Sequence, residues 1–370
     1  MDYKRMPIEI ESPEQMGYGN IKFNLTESSV RDAFFPTSAI DLKSLLLSYG
    51  DHKGKPELRQ LIAGETKTVS AEQVLITPSA ATALFIISST LLDSKSHLIV
   101  VRPNYATNIE TPKAIGCEID YLDVKFEDGF QINWDKLESL IKSNTKLISV
   151  THPHNPTGTC LSTNDFARLT KIANANAAYI LVDETYRELN RAVIQPYAAD
   201  LSPKIISVAS MSKGYGLPGI RIGWLLTQDL LLMERFFAAK EQIIICNSIV
   251  DEEIGYHFYK NKKEYLQSIN LTSLEHFLIV KNWIENQDYM EWIEPQGGVV
   301  CFPRIKTQLK INYKKFYSDL NSILGTFVGP GHWFEMPENY MRIGFGYPLK
   351  DELIGGLENI TRAIELQFNK

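Results

Sequence analysis

The sequence predicts an α/β fold: a mostly parallel sheet with helices on both faces, followed by a smaller α+β domain. Three observations support this. Short apolar segments alternate with helix-like segments between residues 73 and 226, many of these segments are β-branched and apolar on both faces, and the pattern changes after about residue 228. Alternating strands and helices are typical of a parallel sheet, whose strands are buried on both sides.

Seven segments have the composition of buried strands, and helix-like segments lie between them. We predict strands at 73–77, 97–101, 118–122, 147–151, 179–183, 205–209 and 221–226, and helices at 80–92, 133–143 and 162–176. A seven-stranded sheet of this kind presents the loops at the carboxyl ends of its strands as a ligand crevice. Functional residues are therefore expected directly after these strands.

The C-terminal third has a different pattern, in which Pro and Gly separate short strand-like pieces. We predict helices at 230–237, 252–286 and 350–367, and strands at 290–293, 299–302, 325–328 and 340–345. The resulting prediction is an N-terminal segment over residues 1–35 that joins the small domain, a large domain over 36–245 and the small C-terminal domain over 246–370.

The composition and the sequence patterns make several classes of function unexpected. The 370 residues are enough for two cores, and the net charge of −6 makes a nucleic-acid partner unexpected. The sequence has neither a signal-peptide pattern nor an apolar run near the ~20 residues that span a bilayer, so we expect a cytoplasmic protein without a membrane partner. The four Cys and seven His are scattered without metal-binding spacing, so no metal is expected.

The strongest motif is SMSKGYGLPGIRIG at residues 210–223. Lys213 follows a predicted buried strand and precedes a turn rich in Gly and Pro. A lysine amine becomes a nucleophile when its surroundings lower its pKa. Arg221 stands eight residues later, where it could meet an anion. A lysine after a strand is usually a solvated loop charge, so the motif gains its weight from this spacing.

Two further motifs follow predicted strands. HPHNPTGT at 152–159 comes directly after the strand at 147–151, and DETY at 183–186 closes the strand at 179–183. Each has an ordinary explanation when taken alone. Asn-Pro and Thr-Gly are common in turns, and an Asp at a strand end is more often a helix cap than a catalytic group. All three motifs, however, occur in order at the carboxyl ends of strands.

Together these motifs resemble the signature blocks of class I/II aminotransferases, pyridoxal 5′-phosphate (PLP) enzymes of fold type I. Other blocks extend the resemblance over nearly the whole chain: YGDHKG at 49–54, TPSAATAL at 77–84, RPNY at 102–105, PQGG at 295–298, PGHWF at 330–334 and MRIGF at 341–345. The resemblance implies the PLP-dependent transferase fold, PLP as the cofactor, and an amino acid and a 2-oxo acid as substrates.

The resemblance also implies roles for individual residues around the cofactor ring. Lys213 would hold PLP as a Schiff base and move a proton during the reaction. Asp183 would pair with the pyridine nitrogen and keep it protonated. Asn155 and Tyr186 would hydrogen-bond the phenolic oxygen of the ring, and Tyr105 would stack on its face.

The phosphate group is expected at the N-terminus of the helix that begins near Ala80, because a helix N-terminus attracts anions. The residues that the resemblance places around it are Ser79, Ala80, Ala81, Ser210, Ser212 and Arg221. Ser79 stands where many relatives have a glycine, and Ala81 where a hydroxyl residue is common. Tyr49 resembles the tyrosine that reaches the phosphate of the neighbouring subunit, which implies a homodimer with shared active sites.

Arg342 would clamp the α-carboxylate of the substrate, because a guanidinium can form two parallel hydrogen bonds with a carboxylate. Asn155 and Thr26 are expected beside it. The segment 24–29 is expected to line the substrate entrance, and the sequence leaves open which substrate side chain it recognises.

Three functions remain open at this point. The first is amino-group transfer between an amino acid and a 2-oxo acid. The second is another PLP reaction, such as a cyclisation or elimination, because several blocks are similar to the capreomycidine synthase-like branch. The third is a non-catalytic PLP-binding sensor. It is disfavoured because the sequence shows no helix-turn-helix segment and carries Lys213, Asp183 and Arg342 together.

Overall fold

The computed structural model describes residues 1–36, 40–189, 191 and 195–368. Its strands are β1 (Phe23–Leu25), β2 (Val74–Thr77), β3 (His97–Arg102), β4 (Glu118–Asp123), β5 (Thr145–Thr151), β6 (Tyr179–Asp183), β7 (Ile205–Ser210), β8 (Gly223–Thr227), β9 (Met290–Glu291), β10 (Val300–Cys301), β11 (Arg304–Ile305), β12 (Thr326–Pro330) and β13 (Met341–Gly344). Its α-helices are α1 (Pro7–Ile10), α2 (Pro13–Met16), α3 (Pro56–Ala63), α4 (Ala80–Leu91), α5 (Thr107–Ile115), α6 (Trp134–Ser139), α7 (Thr163–Ala175), α8 (Leu230–Ile244), α9 (Ile249–Lys260), α10 (Lys262–Glu285), α11 (Tyr313–Ser318) and α12 (Lys350–Glu365).

The large sheet has seven strands in the order β2-β8-β7-β6-β5-β3-β4. Strand β8 runs antiparallel to both of its neighbours, β2 and β7, and every other neighbouring pair is parallel. The predicted mostly parallel, seven-stranded sheet is therefore confirmed. All seven predicted segments form its strands, and no observed end differs from the predicted end by more than two residues.

Both faces of this sheet are covered by helices. On one face, Ile99 and Val101 belong to an apolar core with residues of α7, and on the other face Leu98 and Val100 pack with residues of α4 and α8. Successive side chains of a strand point to opposite faces, which is why both sets must be apolar. The α/β class with helices on both faces is confirmed.

A second sheet has four strands in the order β1-β12-β13-β10, and β1 runs parallel to β12. Its core contains Leu25, Ile343 and Phe345 together with residues of α10 and α12. The predicted boundaries of the N-terminal segment and of the two domains stay a prediction. Helix α9, which that prediction assigns to the small domain, packs against α3 through Ile254 and Phe258.

Several predicted elements have different bounds in the structure. The helix predicted at 252–286 is two helices, α9 and α10, which meet at Asn261, and α8 continues past residue 237 to Ile244. The strands of the smaller sheets are short, and β9, β10 and β11 contain two residues each. Within the described residues, no helix has the length and apolar character needed to cross a membrane.

Candidate active site

The strand register brings the sequence motifs to one edge of the large sheet. Asp183 at the end of β6 is level with Thr151 at the end of β5. Gly223 at the start of β8 is level with both Ser210 at the end of β7 and Thr77 at the end of β2. Neighbouring strands lie about 4.8 Å apart, so the loops after these residues face a common crevice.

Lys213 lies three residues beyond the end of β7, and its amine is surrounded by protein while part of the side chain stays accessible from the crevice. Burial lowers the pKa of Lys213, the Arg342 guanidinium lowers it further, and Glu27 opposes both effects. The carbonyl of Lys213 accepts a hydrogen bond of 3.1 Å from the Val30 N–H. A lysine with a lowered pKa provides the neutral amine that covalent chemistry requires.

Asp183 is a buried carboxylate with no cationic partner among the described residues. Its Oδ1 accepts hydrogen bonds of 3.1 Å from the Thr185 N–H and 2.6 Å from the Thr185 hydroxyl. Burial raises the pKa of Asp183, and hydrogen bonds from Thr185 and Asn108 counteract that increase. A buried carboxylate is costly without a positive partner, so this position suits a protonated ring nitrogen.

Tyr186 and Tyr105 lie on the same side of the crevice as Asp183. The Tyr186 hydroxyl is buried and makes no well-formed hydrogen bond within the described part of the chain. Burial raises the pKa of Tyr186 to about 12, against the opposing effect of Arg342, with Asp183 and Tyr105 near enough to contribute. Tyr105 is 38% exposed, which leaves one side of its ring available to a ligand.

Two buried asparagines that the sequence reasoning missed connect these groups. Asn104 Oδ1 accepts hydrogen bonds from the Tyr105 N–H at 2.7 Å, the Asn108 side chain at 3.1 Å and the Thr151 hydroxyl at 3.2 Å. Asn108 in turn interacts with the Asp183 carboxylate. This network fixes the loop after β3 against the end of β5. The available signal was the polar residue directly before Tyr105 in the RPNY block.

The start of helix α4 provides an anion-binding position. The Ser79 hydroxyl accepts the Thr82 N–H at 3.0 Å, so Ser79 caps its own helix, and the amides of Ala80 and Ala81 are the ones that point outward. A Cβ atom at Gly223 would lie 2.5 Å from the Ala80 nitrogen. Only glycine allows β8 to approach the helix end this closely, which keeps the cradle open.

The remaining predicted phosphate ligands have less defined positions. Ser210 is buried, and its hydroxyl accepts the Ser212 N–H at 3.4 Å. Arg221 is exposed, and its guanidinium donates to the Pro218 carbonyl at 2.7 Å. Tyr49 is 80% exposed. The cofactor roles of these residues stay predictions.

Arg342 on β13 is only 4% exposed, so it is not a surface salt-bridge residue. It donates to Asn155 Oδ1 at 3.2 Å and to the Thr26 carbonyl at 2.7 Å. Its Nε has no hydrogen-bond partner among the described residues, and burial lowers its pKa. Thr26 takes part through its backbone, because its hydroxyl bonds Asn24 Oδ1 at 2.6 Å. A buried guanidinium held at one edge can bind a carboxylate at the other.

These features fit PLP chemically. The helix end suits a phosphate, Asp183 suits a protonated pyridine nitrogen, the buried Tyr186 hydroxyl suits a phenolic oxygen, and Lys213 supplies an amine with a lowered pKa. Among the described residues, the Tyr186 hydroxyl and the Arg342 Nε are buried polar groups that make no hydrogen bond of standard geometry. Such groups are rare in a folded chain unless a ligand satisfies them.

Because of Glu184, which is next to Asp183, we expect the stability of the fold to depend on pH. It is buried, burial raises its pKa to about 7 against the opposing effect of Arg187, and its Oε2 accepts the Ala198 N–H at 3.1 Å. A carboxyl with a raised pKa stabilises the fold below its unfolded pKa, and this contribution is lost as pH rises to about 7. Between pH 5 and 8, we expect Glu184 to lower the free energy of unfolding by about 3 kcal/mol. We expect Glu184→Gln to remove most of this loss.

The measurement is urea unfolding of both proteins at these two pH values. Glutamine keeps an oxygen that can accept the Ala198 N–H, so the variant retains that contact. An unchanged pH dependence in the variant would show that Glu184 does not titrate in this range.

Comparisons with known proteins agree with this geometry. The family model described as aminotransferase class I and II matches residues 21–352. The chain is 25% identical to capreomycidine synthase of Streptomyces vinaceus over 328 residues, which cover 88% of this chain and 82% of that protein. It is 26% identical to an aspartate aminotransferase of Sulfurisphaera tokodaii over 349 residues, which cover 86% of this chain and 82% of that protein.

A solved structure shows the same likeness in three dimensions. The crystal structure of a PLP-dependent aminotransferase from Streptococcus suis 89-1591 superposes with a TM-score of 0.91 at 26% identity, covering 100% of both chains. The family match extends over most of the chain and includes the strands that form the crevice. The chain therefore belongs to the aminotransferase class I and II family, and it is a PLP-dependent enzyme of fold type I.

Proposed function

We propose that the protein is an aminotransferase that moves an amino group between an amino acid and a 2-oxo acid, with Lys213 as the residue that holds PLP. The main observation behind the proposal is that a short stretch of backbone, from Thr26 to Val30, bonds both Arg342 and Lys213. The Thr26 carbonyl bonds Arg342, and the Val30 N–H bonds the carbonyl of Lys213. Four residues of chain span at most about 14 Å, so the backbone that bonds the clamp is close to the backbone of the reactive lysine, which supports a shared site for the two side chains.

In this proposal PLP, when bound, supplies an electron-withdrawing ring that stabilises negative charge at the substrate α-carbon. Arg342 binds the substrate α-carboxylate and thereby fixes the orientation of the α-carbon. The Lys213 Nζ accepts the proton from that α-carbon and later returns one. Asp183 would hold the positive charge on the ring nitrogen, and the Tyr186 hydroxyl would donate to the ring oxygen.

The test is amino exchange by the purified holoenzyme with a panel of amino acids and 2-oxo acids. We expect a new amino acid to form from the added 2-oxo acid, in equal amount to the 2-oxo acid released by the donor. Mass spectrometry of the products measures both. Consumption of an amino acid without formation of a second one would contradict amino-group transfer.

A second candidate is cyclisation of an amino acid, favoured by the 25% identity with capreomycidine synthase over 88% of the chain. The cofactor-binding residues would serve this reaction equally well, because both reactions need the same stabilised α-carbon. The panel separates the two, since a cyclase converts its substrate to a single product with no 2-oxo acid added.

We also propose a homodimer in which Tyr49 reaches the phosphate of the partner subunit. Large apolar side chains are exposed in the same N-terminal part of the sequence: Phe34 at 96%, Leu46 at 77% and Leu47 at 77%. Exposed apolar residues that cluster along a surface mark contacts with other proteins. The molar mass of the purified holoenzyme, measured by sedimentation equilibrium, tests this association.

A further inference from the structure

We propose that Glu27 selects amino acids whose side chain carries a positive charge, such as a guanidinium or an ammonium group. The inference rests on the proposed function, because it names the substrate class of the same site. Glu27 lies between the two backbone contacts described above, directly after Thr26 and three residues before Val30. Its carboxylate therefore borders the space between Arg342 and Lys213.

The backbone of Glu27 is held in place by β13. A Cβ atom at Gly344 would lie 1.7 Å from the Glu27 carbonyl oxygen, so the two backbones are in direct contact and glycine is required there. The side chain is held as well, because the Tyr18 hydroxyl donates to Glu27 Oε1 at 3.1 Å and the Tyr18 ring stacks on Tyr347 with centroids 6.3 Å apart. This anchor uses Oε1 and leaves Oε2 for a ligand.

Several charged side chains act on the Glu27 carboxyl. Burial raises the pKa of its carboxyl, and Lys213 and Arg342 lower it, so both cations lie close enough to act on it. Two further carboxylates, Glu14 and Asp32, also interact with Lys213 from the exposed rim. These three carboxylates form an acidic wall near the lysine, and Glu27 is its most buried member.

Acidic residues alone do not define a ligand, and Arg342 provides the independent observation. It is buried, and its Nε has no partner within the described chain. It interacts electrostatically with Glu27. A carboxylate can accept the Nε–H bond and also compensate the charge of this guanidinium, and the rest of a ligand held in this way extends next to the acidic wall. A zwitterionic head with a cationic side chain meets both requirements.

The balance of charges explains why Glu27 needs such a partner. The two cations that compensate it are Lys213 and Arg342. In the proposed function the Lys213 amine is engaged by the cofactor and the charge of Arg342 is offset by the substrate carboxylate, so neither side chain fully compensates Glu27 when the site is filled. A largely buried carboxylate without a positive partner is unfavourable. A cationic side chain restores the balance, whereas an anionic side chain adds repulsion, which gives discrimination in both directions.

The test is equilibrium binding of unreactive ligands to the holoenzyme, measured by isothermal titration calorimetry. δ-Guanidinovalerate is an arginine analogue that lacks the α-amino group, δ-ureidovalerate is its neutral isostere, and adipate is an anionic analogue. We expect the guanidino acid to bind at least about tenfold more tightly than the ureido acid, as is typical of a charge-assisted hydrogen bond. We expect adipate to bind most weakly.

The matched variants are Glu27→Gln and Glu358→Gln. Glutamine at residue 27 keeps the shape and an acceptor for Tyr18, and we expect it to abolish the preference for the guanidino acid while δ-ureidovalerate binds as before. Glu358 is an exposed carboxylate on α12, so its variant removes the same charge from another surface and should keep the preference. A preference that survives Glu27→Gln, or tightest binding of adipate, overturns the inference.

Failure of this inference is distinguishable from failure of the proposed function. If the holoenzyme exchanges amino groups with neutral or acidic donors and shows no preference for the guanidino acid, only the role of Glu27 is refuted. If it prefers the guanidino acid and yet forms no new amino acid from any 2-oxo acid, the role of Glu27 stands and the aminotransferase proposal fails.

Discussion

Replacement of Lys213 by alanine is expected to abolish covalent attachment of PLP and to lower the rate of amino exchange by at least about 10³-fold. The amine lies in the crevice, burial and Arg342 lower its pKa, and it faces an acidic wall that includes Glu27. Removing a positioned proton-transfer group alone costs about 10²–10⁴-fold. Loss of the covalent anchor adds to that effect.

The measurement is borohydride reduction of the holoenzyme followed by peptide mass spectrometry, which locates the reduced cofactor on the chain. A second lysine makes the experiment decisive. Lys240 is fully buried, burial lowers its pKa to about 8, and its Nζ donates to the His52 carbonyl at 2.5 Å. An adduct on residue 240, or on any residue of the Lys213→Ala variant, would contradict the assignment.

Replacement of Arg342 by alanine is expected to weaken substrate binding far more than PLP binding. Truncating one member of a buried charge pair costs about 2–5 kcal/mol, which corresponds to a loss of roughly 30-fold to several-thousand-fold in kcat/KM. The Arg342→Lys variant keeps the charge and loses the two parallel hydrogen bonds, so its loss should be smaller but still clear.

The control is Arg168→Ala on α7, where the guanidinium pairs with Asp135 and Glu138 at the surface. Exposed pairs of this kind contribute little to stability, so kinetics should not change. Steady-state kinetics and PLP titration of the three variants provide the comparison. Equal losses of PLP and substrate affinity in Arg342→Ala would show that Arg342 supports the structure of the site and is not a substrate clamp.

The large sheet could be predicted because each of its strands can be identified from a short run of consecutive residues. Buried parallel strands need apolar side chains on both faces, so β3, β5 and β7 stand out as apolar segments. The short strands β9, β10 and β11 contain two residues each, too few to show any periodicity. Strand β1 pairs with β12, and residue 23 lies level with residue 326, so the sequence near β1 does not reveal its partner.

The candidate site also contains some residues that could be predicted from the sequence and others that could not. Lys213, Asp183 and Asn155 could be proposed because each follows a strand in a motif. Asn108 could not, and Glu27 could be expected only as one member of the segment 24–29 at the substrate entrance, because the importance of each depends on neighbours that only the folded chain provides. Glu27 becomes notable through Arg342 and Lys213, and Asn108 through its contact with Asp183.

The hydrogen bond between Thr26 and Arg342 joins residues 316 positions apart in the chain. On the ribosome, the second partner is synthesised 316 positions after the first, so this side of the crevice can close only after β13 has emerged. Any nascent or prematurely terminated chain that stops before β13 lacks the guanidinium altogether. Such a fragment can form much of the large sheet and still be unable to hold a substrate.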